Sequence, residues 1–489
     1  MTAPALRAGM NKKEEALCGT RRRYVGHPDF DSFFGERKSD DRKFGKMTPE
    51  HRHGTFHLSI ISHLVLQLLF LLSGINSALA LVGDTEGGLG VDGSFRTIGA
   101  LTHNYENQAL FEKDTNDYLQ SILRLTAAGR PFQRVSYEAH LVTAFTYTSA
   151  RGPGGGSGLR ASGGKTRYRA FDTSWDFIDN EENRTGGVWL DRFNVKVGFP
   201  QADLTIGRQA ITFGKAFFWN PLDLYLPFDP AQFDRDYKAG VDALRLDIPL
   251  GLFSGVNLIY VLGRELDSDN QYPEDRTLDA SWSGSSILLR GFTHVAGWDL
   301  TLQGGKVYGG WHMGGGLVGE IKSLQVRFEA AQFWADDGTL LPPPKRAPLL
   351  EDNLTAVVGL GRHWPSSLDI QVECLFNGGG ESHDITLGLE RAERGAVFHA
   401  GRILAGITVS YELTPLILGQ LALLQSQTDG STQIQPTLRW STSDNSELLL
   451  GASINCGDRP TLDPVKGIVF ESEFGSYPNY FFAEFKAYF

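Results

Sequence analysis

The segment "YFFAEFKAYF" (residues 480–489) decides the fold class, because its residues alternate between two faces. One face is wholly apolar and consists of Phe481, Ala483, Phe485, Ala487 and Phe489. The other face mixes aromatic and charged side chains: Tyr480, Phe482, Glu484, Lys486 and Tyr488. A large apolar side chain near a chain terminus gains little unless something buries it. The segment therefore predicts a β-strand whose apolar face is covered.

The same alternation recurs from about residue 92 onward, in segments of roughly ten residues separated by turn residues. "VSYEAHLVTAFTY" (135–147) and "FNVKVGF" (193–199) are two examples. Short connections, such as "VAG" (295–297), alternate with long ones, such as 149–185 and 377–396. This pattern predicts an all-β protein, a transmembrane antiparallel β-barrel of about 18 strands with short turns on one side and long loops on the other.

A secreted, soluble all-β protein is the alternative fold, since its strands would alternate as well. Two features favour the membrane barrel: the loop lengths differ between the two sides, and nearly every segment has an apolar face. A sheet in hydrocarbon must close to satisfy its own backbone hydrogen bonds, so we expect the last strand to pair with the first. The lipid bilayer would then cover the apolar face of residues 480–489.

That C-terminal segment resembles the terminal signature of Gram-negative outer-membrane β-barrels. The resemblance implies that Phe485 and Phe489 form an insertion signal, read by the machinery that inserts barrels into the outer membrane. It also implies a location in the outer membrane of a Gram-negative bacterium.

An apolar run near the N-terminus predicts export. Leu64–Leu72 reads "LVLQLLFLL" and is followed by Ala78-Leu79-Ala80, a small-x-small cleavage pattern. We interpret residues 47–80 as a cleaved secretory signal peptide beginning at Met47, residues 1–46 as a disordered or mis-assigned extension, and residues 81–489 as the barrel. The net charge of -11 argues against nucleic acid as a partner. Cys374 and Cys456 either form one disulfide or are small buried hydrophobes.

The most distinctive block is residues 206–251, which contains "IGRQAITFG" and "GVDALR". These motifs resemble porin-like channels of the alginate-export type. The resemblance implies a large substrate-conducting barrel with Arg208 and Arg245 lining its lumen. Alternation agrees for Arg245 and disagrees for Arg208, which would need a bulge at Gly207. The alternative is a buried arginine that is salt-bridged across strands.

Alternation also assigns charged side chains of both signs to the lumen. The lumen-lining candidates are Arg124, Glu138, His140, Arg192, Lys196, Arg208, Arg245, Asp247, Arg327, Glu329, Asp369, Glu373, Arg439, Glu484 and Lys486. Because bases and acids nearly balance, the set predicts no clear ion selectivity.

The long connection after Gly214 is too apolar to lie comfortably in water, so we expect it to fold into the barrel and narrow it. The constriction-loop candidates are Trp219, Asp223, Tyr225, Asp229, Asp234 and Asp236. The alternative is a loop that covers the outer rim or docks on a partner.

No catalytic constellation, metal-ligand spacing or haem-attachment motif stands out, so we expect neither an enzyme nor a cofactor of the chain's own. The features together predict a passive outer-membrane channel for hydrophilic solutes. The alternative function is a barrel that serves as a sheath or scaffold for a periplasmic or cytochrome partner, such as a multihaem cytochrome in transmembrane electron transfer.

Overall fold

The structure is a computed structural model. It describes residues 82–84, 88–103, 115–149, 167–181, 183–227, 236–264, 280–336, 348–393, 395–464 and 466–489. The predicted extension (1–46), the predicted signal peptide (47–80), and Asp229 and Asp234 all lie outside these residues.

The described residues are mostly β-strand. The strands are β1 (Val82–Asp84), β2 (Leu89–His103), β3 (Thr115–Phe132), β4 (Val135–Thr148), β5 (Ser174–Glu181), β6 (Arg184–Gly198), β7 (Asp203–Gln209), β8 (Val241–Pro249), β9 (Gly255–Arg264), β10 (Ala280–Val295), β11 (Trp298–Val307), β12 (Gly310–Ile321), β13 (Leu324–Ala335), β14 (Asn353–His363), β15 (Asp369–Asn377), β16 (Ile403–Thr414), β17 (Ile417–Ser426), β18 (Thr432–Ser443), β19 (Ser446–Cys456), β20 (Thr461–Asp463), β21 (Gly467–Val469) and β22 (Asn479–Tyr488).

Eighteen of these strands form a closed antiparallel barrel, which confirms the predicted fold class; the other four are β1, β5, β20 and β21. Closure occurs where β22 pairs with β19 on one side and with β2 on the other. The register with β2 runs from Ser94 opposite Tyr488 to His103 opposite Asn479. Beyond β22, Phe489 exchanges two backbone hydrogen bonds with Gly93, so the final residue also takes part in closure.

Alternation separates an apolar exterior from a polar interior, as the sequence predicts. On β14, Leu354, Val358 and Leu360 are exposed on the outer face. On the neighbouring β15, Gln371 and Glu373 are buried on the inner face. Apolar side chains can face outward in this way without cost only where the surroundings are themselves apolar, as in a lipid bilayer.

The connections have two characteristic lengths. The turns between β10 and β11 and between β12 and β13 are two residues long, and all four turn residues have positive φ: Ala296, Gly297, Lys322 and Ser323. Positive φ at both central positions is the geometry of the tight hairpin turn that matches strand twist. On the opposite side of the barrel, the connections carry α1 (Ile385–Glu393), the β20–β21 hairpin and a 3-10 turn at Phe474–Ser476. Among the described residues, no helix is long and apolar enough to span a membrane.

Two features of the wall differ from the expectation. The sequence predicts a loop over residues 149–185, yet β5 lies within them and pairs with the first half of β6, next to the part that pairs with β7. In addition, the pairing of β4 with β6 shifts between His140 and Leu141, so that Asp191 is an extra residue in β6. This is a β-bulge, and it lets neighbouring side chains on one strand face the same side.

The two cysteines expected either to form one disulfide or to be small buried hydrophobes do not pair with each other. Cys374 is a free, exposed thiol, and its register partner Val358 is also exposed on the outer face. Cys456 is buried.

The pairing of Gly93 with the last residue predicts a folding defect. A Cβ at Gly93 would lie 2.2 Å from Cε2 of Phe489, so Gly93→Val should displace the terminal ring and destabilise the folded barrel by about 1–2 kcal/mol through overpacking. The folded fraction after refolding in detergent measures the effect. Gly251→Val is the matched control, because a Cβ there meets no atom within 4 Å. Equal folding of the two variants would contradict the prediction.

Candidate functional site

The candidate site is the barrel lumen and the stretch of chain that crosses it. We call residues 210–240, which join β7 to β8, the crossing segment; residues 210–227 and 236–240 of it are described. The segment contacts Glu329 on β13 and Glu373 on β15, and then reaches Lys486 on β22 before it enters β8. Because these strands lie on different sides of the barrel, the segment spans the interior.

Two carboxylates of the wall hold the first part of the crossing segment. Oε1 of Glu329 accepts a hydrogen bond from the Lys215 N–H at 2.5 Å. Glu373 accepts from the Phe217 N–H at 2.5 Å and from the Phe218 N–H at 2.7 Å. Both carboxylates are almost completely buried. Successive backbone N–H groups that point at an anion form a concave anion-binding site. Here the anions are the carboxylates of Glu329 and Glu373, so these backbone groups attach the crossing segment to the barrel wall.

Apolar side chains of the crossing segment pack against the inner wall on both sides of these anchors. Phe218 and Trp219 join a buried cluster that includes Val357, Leu375 and Leu404. A second cluster contains Ile211, Phe213, Tyr225, Val241, Ile259 and Leu288. The hydroxyl groups of Tyr225 and Ser286 are 3.0 Å apart. Trp219 and Tyr225, both constriction candidates, therefore fill part of the lumen.

A buried ion pair joins two parts of the crossing segment: Lys238 donates to both oxygens of Asp223. Asp223 also lies 3.4 Å from the hydroxyl of Thr212. Burial raises the pKa of Asp223 and lowers the pKa of Lys238, because water is excluded from both groups, and their mutual attraction opposes both changes. The contact ties the outgoing and returning parts of the segment together.

Asp236 links the returning part to the strand that closes the barrel. It accepts hydrogen bonds from Nζ of Lys486 at 2.7 Å and from the hydroxyl of Tyr488 at 2.9 Å. Burial opposes the charge of Asp236, yet these two hydrogen bonds and the Lys486 charge hold its pKa below the ordinary value. The candidate Lys486 thus binds an acid of the crossing segment, and it also lies 3.2 Å from Glu447.

A network of charged side chains covers the inner wall formed by β3, β4 and β6. Arg124 donates to Asp191 at 2.7 Å and lies 3.1 Å from Nδ1 of His140. His140 Nε2 lies 2.7 Å from Glu138, which also accepts from Arg192 at 3.0 Å. Because arginine only donates hydrogen bonds, Nδ1 of His140 acts as the acceptor, and the proton on Nε2 faces Glu138.

Asp191 is the central member of this network that the sequence reasoning missed. Its second oxygen accepts from Arg169 at 2.6 Å, so one carboxylate binds two guanidinium groups. Strict alternation from Arg192 places Asp191 outside the barrel. The bulge at this position brings Asp191 and Arg192 to the same side.

A second inner cluster lies beside Phe213 of the crossing segment. Arg245 donates to Asp247 at 2.8 Å, and Asp247 also accepts from Asn257 at 2.6 Å. The guanidinium of Arg290 lies 4.7 Å from the centre of the Phe213 ring, a cation–π contact. The structure therefore brings Arg245 and Asp247 together with a residue that the candidate set omitted, Arg290.

The other lumen candidates are divided among local pairs. The pairs are Lys196 with Asp203 at 2.7 Å, Arg327 with Gln371 at 2.7 Å, Asp369 with Gln371 at 2.9 Å, Arg439 with Glu447 at 3.9 Å and Glu484 with Arg96 at 3.3 Å.

Arg208 differs from the expectation and does not line the lumen. Its register partner is Phe193, whose ring is 56% exposed on the outer face, while Arg208 itself is only 4% exposed. The register runs through Gly207 without a shift, so the assumed bulge does not form. The guanidinium donates to Asp242 at 2.7 Å and to the Phe171 carbonyl at 2.6 Å. Arg208 is therefore buried within the wall, where it fastens the chain leading into β5.

The terminal aromatic residues lie on the face that the alternation assigns to them, although they are not uniformly exposed. Phe481 is exposed, whereas Phe485, whose register partners are Thr97 and Leu448, is buried. The ring of Phe489 covers Gly93. The role of Phe485 and Phe489 as an insertion signal stays a prediction.

An open cavity remains beside the crossing segment; its empty volume is about 670 Å³, which includes solvent at its open side. Its wall includes Arg96, Arg124 and Trp189 from the barrel, and Asp236 and Tyr237 from the crossing segment. The described residues contain no group of three or more His, Cys, Asp or Glu side chains that could hold a metal ion.

Among protein-family models, curated sequences and solved structures, only solved structures are similar to the chain. No protein-family model and no curated sequence matches the chain. Among solved structures, Acinetobacter baumannii OccAB3 is similar with a TM-score of 0.50 and 11% identity, over 82% of this chain and 99% of that one. A. baumannii OccAB2 gives a TM-score of 0.49 and 10% identity, over 83% and 99% of the two chains. A mutant Rh. blastica porin gives a TM-score of 0.39 and 11% identity, over 82% of this chain and 100% of that one.

The likeness to OccAB3, together with the closed ring of 18 strands, shows that the chain has a porin-type β-barrel fold. At this level of identity the likeness concerns the fold alone.

Proposed function

We propose that the protein is an outer-membrane channel through which hydrophilic solutes pass passively. The observation that carries the proposal is a closed barrel with an apolar exterior and a polar interior, which the crossing segment narrows. Among the described residues there is no separate plug domain. Barrels of 16–18 strands leave an aqueous passage when side chains alone cannot fill them. A segment folded into such a passage limits the size of the solute.

The location follows from the same features. The apolar outer face needs lipid, and closed β-barrels of this size occur in the outer membranes of Gram-negative bacteria. We propose that location, with the lipid bilayer and the barrel-insertion machinery as partners. The proposal does not include catalysis, because the charged groups of the lumen are bound to one another or to the crossing segment.

A sheath around a cytochrome is the alternative function. A sheath needs room for its partner, whereas the crossing segment occupies the lumen and is bound to β13, β15 and β22. These contacts favour the channel.

The test is single-channel conductance of the purified barrel in a planar bilayer. We expect steady openings with an ohmic current. Arg245→Glu should shift the preference towards cations, because it replaces a positive charge of the lumen with a negative one; the reversal potential in a salt gradient measures this shift. Lys322→Glu, in a short turn at the rim, is the charge-matched control. Silent insertion, with haem absorption in protein from native membranes, would overturn the channel and support the sheath.

A further inference from the structure

We propose that the open cavity beside the crossing segment is a binding site for a neutral, polyhydroxylated solute such as a free sugar. The inference rests on the proposed channel function and deepens it by naming the class of solute. Two observations carry it: the pairing of the charges on the cavity wall, and an apolar surface placed beside them.

Each charged side chain on the cavity wall is paired with an opposite charge. Arg124 binds Asp191 at 2.7 Å, and Lys486 binds Asp236 at 2.7 Å. The third cation, Arg96, lies 3.3 Å from Glu484. An ionic solute therefore meets little net field, and it must give up its hydration shell to compete with an existing pair. A neutral solute avoids that cost.

Paired charges nevertheless offer hydrogen bonds of both kinds. Carboxylate oxygens accept, guanidinium and ammonium groups donate, and a hydroxyl group can do either. A polyol presents many hydroxyl groups on a small frame and can bridge an acid and a base of the same pair. The ion pairs of the cavity thus suit hydroxyl groups better than a single unbalanced charge.

The second part of the wall is apolar. Ile122, Val142 and Trp189 form one buried cluster on the inner wall and also line the cavity. The ring of Tyr237 lies across from them and stacks on Arg124, with 4.3 Å between the guanidinium carbon and the ring centre. Sugars combine C–H faces with hydroxyl edges, so an aromatic and aliphatic surface beside fixed polar groups matches both parts.

The experiment compares three probes of nearly equal size and different charge: glucose, gluconate and glucosamine. Saturation-transfer NMR on the detergent-folded barrel measures binding, and the decrease of channel current on adding each solute measures entry. We expect glucose to give the strongest signal of the three in both measurements. Trp189→Ala should weaken the glucose signal, whereas Trp440→Ala on the outer face is the matched control and should not.

Two further variants test whether charge pairing sets the preference. Asp236→Asn removes one negative charge from the cavity wall beside Lys486, so binding of gluconate relative to glucose should rise about threefold, as expected for a change of one unit charge about 6 Å away in water. Arg96→Gln removes a positive charge from the wall, so it should raise the binding of glucosamine relative to glucose by a similar factor.

The outcomes separate this inference from the channel proposal. Stronger binding of gluconate or glucosamine than of glucose to the unaltered protein would overturn the inference. Equal binding signals for the three solutes, unchanged in the Trp189, Asp236 and Arg96 variants, would overturn it as well. Conductance without glucose binding would overturn the inference and leave the channel standing. Glucose binding that depends on Trp189, in a barrel that carries no current, would support the site and overturn the channel.

Discussion

Single-channel conductance is expected to rise about threefold in the double variant Glu329→Ala, Glu373→Ala, since an unfilled barrel of this size leaves a wide aqueous channel. The two carboxylates accept the backbone N–H groups of Lys215, Phe217 and Phe218. Their removal leaves buried donors without partners, each at a cost of about 1–3 kcal/mol. The first part of the crossing segment should then detach from β13 and β15.

The control for this prediction keeps the shape and one acceptor oxygen of each side chain. Glu329→Gln, Glu373→Gln should conduct more nearly as the unaltered protein does, because the amide oxygen at position 329 can still accept the Lys215 N–H and the one at position 373 can still accept one of the Phe217 and Phe218 N–H groups. Increased access of proteases to residues 215–218 in the alanine variant would show that detachment causes the change. An alanine variant with unaltered conductance and protection would mean that the apolar clusters alone hold the segment.

Asp191→Ala is expected to lower the free energy of unfolding by about 3–5 kcal/mol, the cost of leaving a buried charge without its partner. Asp191 binds both Arg124 and Arg169, and all three side chains are mostly or fully buried. Removing the carboxylate leaves two guanidinium groups facing each other in the wall. Urea unfolding of the barrel in lipid vesicles, followed by tryptophan fluorescence, measures the change.

An exposed ion pair provides the comparison. Asp203→Ala removes the partner of Lys196, whose side chain is 45% exposed, so the expected loss is at most about 1 kcal/mol. Similar losses in the two variants would show that burial does not determine the effect, and would contradict the importance given to Asp191.

The sequence predicts the barrel well because period-two alternation reports directly on the two environments of a membrane strand. Closure through residues 480–489 and the inward positions of Arg192 and Arg245 follow from it, whereas the segment folded into the lumen is predicted from its apolar composition. The same rule assigns Glu329 and Glu373 to the lumen.

Alternation fails where the register changes or where the contact is distant in sequence. The bulge in β6 reverses the parity that would have identified Asp191, and nothing in the local sequence marks it. For Arg208, alternation gives the outward face correctly, but a strand pattern cannot show that chain from another part of the sequence covers this residue there. The anchoring role of Glu373 is equally hidden from the sequence, because its partners Phe217 and Phe218 are about 155 positions away.

The contact between Asp236 and Lys486 joins residues 250 positions apart in the chain. Contacts of such separation form late in folding, because a long loop must close first. Lys486 belongs to the last strand, so this contact can form only when the C-terminal end of the barrel is in place. We therefore expect the crossing segment to complete its docking at the end of assembly. An unfinished barrel would be leakier than a finished one, and docking would couple the permeability of the membrane to the completion of folding.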